Sequence, residues 1–304
     1  MKKFFIKICK FFGFEIIDQN EFSSPTLNKE LNEDLSILNK KSIVLPLGEV
    51  KITRKVNSIL IIVRVNTEIE IWDQNKRRLF ERPKIEYTIR SIKSLINSIK
   101  LCQNKYPNLK IKTIILDSSK NKKLDKIKEI TKDIQIEIIS LETKKFENKI
   151  KKQKTQETFS NLASLLQCFE IGKDIGEDLI FFVEDDYLHF ETMLVEMIST
   201  YERVSSQIGK DIFMCPSDYP FLYMNNEKTN ILIGDKRHWR TINKTLCTFL
   251  ASKKLLDLYW QNFSKNCEDR HDPFEKYINE IYKNEFCISP LKSLSVHLTN
   301  INSS

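Results

Sequence analysis

The chain has 304 residues, 41% hydrophobic and 30% charged, which excludes a disordered protein and leaves enough apolar material for a sizeable core. Its net charge of +8 comes from 49 basic and 41 acidic residues spread along the sequence rather than clustered with aromatics, so nucleic acid is not an expected partner. The six glycines are scattered and spell neither GxGxxG nor GxxxxGKS/T, which argues against a P-loop and the common dinucleotide fingerprint; the seven cysteines include no CxxC pair, so buried thiols in a reducing cytosol are expected rather than a disulfide framework.

The first 14 residues are too short and too often interrupted by Lys7 and Lys10 for a membrane span or a secretory signal. Phe4, Phe5, Ile8, Phe11 and Phe12 follow helical spacing, with Lys2, Lys3, Lys7 and Lys10 on the other face. That segregation fits an interfacial helix on an anionic bilayer, at the inner face of the cytoplasmic membrane, and equally a helix packed on the protein's own surface. Residues 15–56 are polar and charged, with a helix-capable stretch near Leu27–Leu38, so residues 1–56 are expected to be an amphipathic segment plus connector and residues 57–304 a single domain.

From Ser58 the pattern changes. Ser58–Val63 is a continuous β-branched and apolar run of the kind buried on both faces of a parallel sheet, and it ends in Arg64-Val65-Asn66. Ile85, Ile89, Ile92, Leu95, Ile96 and Ile99 then recur at three and four, which predicts a helix over 84–102. A second run, Ile111–Leu116, ends in Asp117-Ser118-Ser119; a Lys-rich helix and a third run, Ile134–Leu141, follow. A helix over 155–171 leads to a fourth run, Asp178–Val183, which enters Glu184-Asp185-Asp186-Tyr187 directly. Strand and helix alternating at this spacing predict βαβ units and a mostly parallel sheet, a Rossmann-like nucleotide-binding half. Further on, the pattern predicts a helix over 190–204, a short strand at 212–215, one strand within 239–250, and a helix starting at Asp272-Pro273-Phe274-Glu275, where Asp serves as N-cap and Glu lies three residues after it.

Ligands of open α/β sheets bind beyond the carboxyl ends of strands. Arg64 and Asn66, Asp117, and Glu184-Asp185-Asp186 stand at such ends, with Glu142 a further candidate. Three adjacent carboxylates at the end of a buried strand repel one another, which directs attention to a bound cation. Hard oxygen ligands select Mg2+ or Mn2+, with positions left open for diphosphate oxygens; the plain alternative is a solvated acidic turn. His238-Trp239-Arg240 joins a ring to a forked cation suited to a diphosphate. His297, near the C-terminus, is a lone histidine whose ordinary role is structural. Cys267-x-x-x-His271 lacks a second ligand pair and is expected to be coincidence.

Residues 57–300 resemble a GT-A-type glycosyltransferase of the family 2 kind. The resemblance is carried by the strand ending Arg64-Val65-Asn66, the strand ending Leu116-Asp117-Ser118-Ser119, Phe181–Tyr187 in the place of a DxD motif, the His238–Thr241 tract, and the acidic segment Glu268-Asp269-Arg270-His271-Asp272-Pro273. It implies a GT-A-like α/β fold and a Mn2+- or Mg2+-dependent transfer from a nucleoside-diphosphate sugar donor to a glycan or lipid-linked acceptor, in surface polysaccharide or glycolipid synthesis. It further implies that Asp117 contacts the nucleotide's base or ribose, that Glu184 and Asp185 lie near ribose and metal, that Asp186 is the main metal ligand, that His297 completes the metal shell, and that one of Glu268, Asp269 and Asp272 is the general base. The Gly-rich stretch usual before the acceptor-side acid is missing. Two rival readings are a sugar-phosphate nucleotidyltransferase, which normally carries a Gly-rich loop after its first strand, and a non-catalytic membrane-associated scaffold.

Overall fold

A computed structural model describes residues 2–14, 42–45, 48–68, 82–119, 124–132, 134–224 and 229–298. The expected helix near Leu27–Leu38 lies outside the described residues. The chain divides into two compact units, residues 1–53 and 54–304. The first contains helix α1 (Lys2–Phe11) and a hairpin of β1 (Ser42–Leu45) and β2 (Gly48–Lys51). On α1 the aromatic residues Phe4, Phe5 and Phe11 are exposed, and Phe12 and Phe14 just beyond it are exposed as well.

The second unit runs β3 (Ser58–Val65), α2 (Lys84–Lys105), β4 (Lys110–Asp117), α3 (Leu124–Thr131), β5 (Ile136–Ser140), α4 (Gln156–Ile175), β6 (Leu179–Glu184), β7 (Tyr187–His189) and α5 (Met193–Ile208). It continues through β8 (Phe213–Met214), β9 (Ile231–Ile233), β10 (His238–Ile242), β11 (Phe249–Ser252), α6 (Lys253–Leu258), α7 (Trp260–Glu268), α8 (Lys276–Ile281), β12 (Cys287–Pro290) and β13 (Ser295–His297). The four apolar runs legible in the sequence are β3, β4, β5 and β6. They pair in parallel in the order β5-β4-β3-β6, so the chain lays down its first three strands in one direction and then crosses to the other side of the first. Among the described residues the sheet extends to nine strands through β11, β8, β12, β10 and β9. Only β11 and β10 run against the others, which makes the fold a mixed α/β architecture with a mostly co-directional central sheet.

Helices cover both faces of the sheet because its central strands are apolar on both sides. Leu60, Ile62, Ile180 and Phe182 pack with α4, α6, α7 and α8; Ile59, Ile61, Val63 and Phe181 pack with α2 and α5, and with Ile127 of α3. At the amino end of the sheet Arg54 anchors the chain before β3, its guanidinium bonded to Asp178 at 2.5 Å and Asp211 at 2.9 Å.

Two expectations change. The region 239–250 contains two strands, β10 and β11, which sit apart in the sheet with β8 and β12 between them. The last helix starts at Lys276, not at Asp272; Glu275 is its N-cap, and Asp272 is exposed in the preceding turn. The two-stranded pairing of β7 with β13 was not foreseen.

The turn from α4 into β6 depends on a glycine. A Cβ at Gly176 would lie 2.4 Å from the Gly172 carbonyl oxygen and 2.8 Å from the Ile180 side chain. Gly176→Ala should therefore lower stability by about 1–3 kcal/mol through overpacking, measured by urea denaturation of the full chain.

Candidate functional site

The chain reverses direction in the sheet order between β3 and β6, and the carboxyl ends of those two strands flank the crevice that such a switch creates. Successive side chains of a strand point to opposite faces, so the consecutive acids at the end of β6 have separate surroundings. Glu184 lies on the α4 face, in register with Arg64, and the two form an ion pair at 2.5 Å. Arg64 also donates to the Asn161 side-chain oxygen at 2.5 Å and to its carbonyl at 3.1 Å. Burial raises the Glu184 carboxyl above its usual range despite the opposing charge of Arg64. Asp185 is buried on the α2 face, where it accepts from Lys84 Nζ at 2.6 Å, Thr88 Oγ1 at 2.7 Å and the Asn66 backbone N–H at 3.1 Å.

Asp186 follows these two, and its chemistry comes from the far end of the chain. β13 pairs antiparallel with β7, placing His297 opposite Tyr187. His297 Nε2 lies 3.3 Å from Asp186 Oδ2, the His297 ring stacks on Tyr187 with centroids 4.6 Å apart, and the Leu298 N–H donates to the Asp186 carbonyl at 2.8 Å. Burial alone would lower the His297 imidazole, but the Asp186 carboxylate outweighs it and the net shift is upward. The Tyr187 hydroxyl is held by Tyr219 at 2.8 Å. His189, two residues on, points away into the core: its Nδ1 meets Ser295 Oγ at 2.7 Å, and burial drives it down to about 3.

The ends of β3 and β4 are laced together. Asn66 donates to Ser118 Oγ at 3.1 Å, Thr67 N–H donates to Ser119 Oγ at 2.9 Å, and Asp117 is buried and accepts from the Ser119 N–H at 3.0 Å. Asn66 and Asp117 therefore belong to the laced strand ends beside the switch point.

The donor set tests the expected metal. Glu184 is engaged by Arg64 and Asp185 by Lys84, so two of the three acids are neutralised by cations of the chain itself. Among the described residues no group of three or more His, Cys, Asp and Glu side chains is arranged around one ion position. Asp186 and His297 remain as a carboxylate and an imidazole side by side. Two protein ligands fit a hard cation such as Mn2+ or Mg2+ that takes its remaining oxygens from substrate and water; Glu184, the other acid expected there, is turned to Arg64.

The other expected residues lie elsewhere. Arg240 on β10 donates twice to Asp218 Oδ1, at 3.1 and 2.8 Å, beneath the Tyr223 ring at 4.0 Å. Glu268 is exposed at the end of α7 and Asp272 is exposed beyond it. Asp269 bonds Gln153 at 3.1 Å and lies 3.7 Å from Lys151; the Gln153 bond is the main cause holding its carboxyl below the usual value. Cys267 is buried and His271 faces the Lys265 carbonyl, so they do not form a ligand pair. None of the seven cysteines is joined to another. Residues that the sequence did not single out are Lys84, visible only as the first residue of a helix, and Asn161; Glu275, read there only as part of a helix cap, is buried.

No family model matches this sequence, and no curated protein does. Among solved structures the chain is similar to a UDP-glucose pyrophosphorylase complexed with UDP-glucose, at 10% identity over 81% of this chain and 94% of that one, with a TM-score of 0.41. It is also similar to GalNAc-T7 with UDP, GalNAc and Mn2+, at 11% identity over 81% of this chain and 44% of that one, TM-score 0.45. A third is the galactosyltransferase LgtC with donor and acceptor sugar analogs, at 9% identity over 73% of this chain and 70% of that one, TM-score 0.37.

The ion pairs make a prediction about stability. Removing one partner of a buried pair leaves an uncompensated charge, which costs about 3–5 kcal/mol. Lys84→Met should therefore destabilise the fold strongly through Asp185, and Lys84→Met combined with Asp185→Asn should recover part of the loss in a denaturant titration.

Proposed function

We propose that this chain is a metal-dependent glycosyltransferase that moves a sugar from a nucleoside-diphosphate donor to a hydroxyl acceptor. The observation that carries the reading is the Asp186–His297 pair, at 3.3 Å, just beyond the carboxyl end of β6 beside the switch point of the parallel strands. Asp186 and His297 would hold the divalent ion. That ion, when bound, neutralises charge on the departing diphosphate. The chain's own part is orientation. Arg64 fixes Glu184 from one face of the sheet and Lys84 fixes Asp185 from the other, so the backbone that presents Asp186 is held on both sides. Asn66 and Asp117, at the ends of β3 and β4, would face the base and ribose of the donor.

Helix α1 supports a peripheral membrane placement. Phe4, Phe5, Phe11 and Phe12 are exposed on a segment that also carries four lysines, the composition that favours an anionic bilayer surface. No helix among the described residues is long and apolar enough to cross a membrane.

The direct test is a panel of UDP-, GDP- and CMP-sugars, titrated by calorimetry with and without Mn2+. Asp186→Asn should abolish metal-dependent donor binding and lower turnover by about 10²–10⁴, equivalent to several kcal/mol of leaving-group stabilisation, while thermal stability stays near that of the wild type. Wild-type donor affinity and turnover in that variant would remove the main support for the reading. Pyrophosphate release from a nucleoside triphosphate and a sugar phosphate would mark the chain as a nucleotidyltransferase instead. For α1, co-sedimentation with phosphatidylserine vesicles should fall on deletion of residues 1–14 and on raising the salt concentration; equal sedimentation of the truncated chain would reject membrane binding.

A further inference from the structure

The pairing of β7 with β13 makes a ribbon with two unlike faces, because successive side chains of a strand alternate. Tyr187 and His297 stand opposite each other on one face, where their rings stack. Leu188 and Val296 stand opposite each other on the second face, and Leu188 is 43% exposed. A cavity of about 370 Å³ is lined by Leu188 and Leu298 together with Arg82, Glu86, Tyr87 and Arg90, from α2 and the residues just before it. That volume is in the range of small-molecule sites. Tyr87 and Leu298 are its buried members, and Arg82 and Arg90 are exposed. Against these two guanidiniums stands one acid, Glu86, at 4.0 Å from Arg90 across a helical turn, and an exposed pair of that kind holds its partners weakly. Lys84 is bonded to Asp185 instead and does not line the cavity. The cavity adjoins the Asp186–His297 pair through the backbone: the Leu298 N–H donates to the Asp186 carbonyl at 2.8 Å, and Leu188 lies two residues beyond Asp186.

We propose that this cavity binds an anionic amphiphile, a phosphate ester of a hydrocarbon chain. The argument is complementarity. Two exposed guanidiniums against one carboxylate leave an excess of positive charge, and the guanidinium fork matches the oxygens of a phosphate. Leu188, Leu298 and Tyr87 offer apolar surface from which a hydrocarbon chain displaces water. A free inorganic phosphate would leave that surface wet, and an uncharged chain would leave the guanidiniums unanswered. On the glycosyl-transfer reading such a ligand is the acceptor, delivered beside Asp186; that role rests on the reading, whereas the binding itself does not.

The test titrates decyl phosphate, below its micelle-forming concentration, into the full chain by calorimetry, with neither metal nor nucleotide sugar present. Decanol, which lacks the anion, and inorganic phosphate, which lacks the chain, are parallel arms. Decyl phosphate should bind at least about tenfold more tightly than either. Arg82→Gln combined with Arg90→Gln, and Leu188→Glu by itself, should each weaken decyl phosphate by at least about tenfold and leave nucleotide-sugar affinity unchanged. All three positions reach the surface, so the fold has room for these changes. Should they nevertheless disturb folding, Leu188→Cys reports instead: decyl phosphate should slow its alkylation by a maleimide severalfold, read by peptide mass spectrometry against Cys9, since the other six cysteines are buried. Equal affinity in the wild type and both variants places the amphiphile on another surface, such as α1, and overturns the proposal. So do unslowed alkylation, decanol or inorganic phosphate binding as tightly as decyl phosphate, and no binding at all. Loss of decyl phosphate binding in the variants of a chain that binds no nucleotide sugar leaves the site standing and defeats the glycosyltransferase reading instead.

Discussion

The structure around the crevice depends on one electrostatic constraint: three consecutive carboxylates at the end of a buried strand must each be compensated. The alternation of a β-strand divides them. Glu184 turns to Arg64 on the α4 face, Asp185 turns to Lys84 and Thr88 on the α2 face, and Asp186 leaves the sheet to meet His297. Each compensating group comes from a different element, so the acidic turn ties β3, α2 and β13 to β6 at one point. A bare cluster of like charges would loosen that corner; paired in this way it becomes a fixed junction. The first two acids serve the frame, and the third is left as the one whose partner is an imidazole, a group that can serve as a metal ligand.

Much of this was legible in the sequence because parallel strands buried on both faces are written as uninterrupted apolar runs. Ser58–Val65, Lys110–Asp117, Ile136–Ser140 and Leu179–Glu184 all stand where such runs occur, with helices of the expected period between them. The polar residues that end those runs locate the crevice, since a strand end is a local feature. β10 and β11 were merged because both are short and the residues between them carry no strong turn signal.

The tertiary partners were not legible. Lys84 looks like any polar residue at the start of an amphipathic helix, and its value to Asp185 arises only when α2 packs on the sheet. His297 lies 111 residues from Asp186, and no local pattern announces the pairing of β13 with β7. Glu275 was absorbed into a capping box by its spacing from Asp272. The helix starts four residues later than Asp272, and burial next to Cys247, which sequence spacing does not encode, sets its chemistry. Charge repulsion among the acids was visible, but the sequence suggested a bound cation where the fold supplies Arg64 and Lys84 for two of them.

The β7–β13 ribbon joins two distant stretches of the chain at the site. Asp186 and His297 lie 111 residues apart, and the loop they close is long enough that the sheet and helices between them must be in place to hold its ends together. Two short strands joined at their backbones and by one ring stack are also a small cooperative unit, of the kind that opens locally while a nine-stranded sheet stays intact. The Asp186–His297 contact thus belongs to a small unit whose opening does not require the sheet to open.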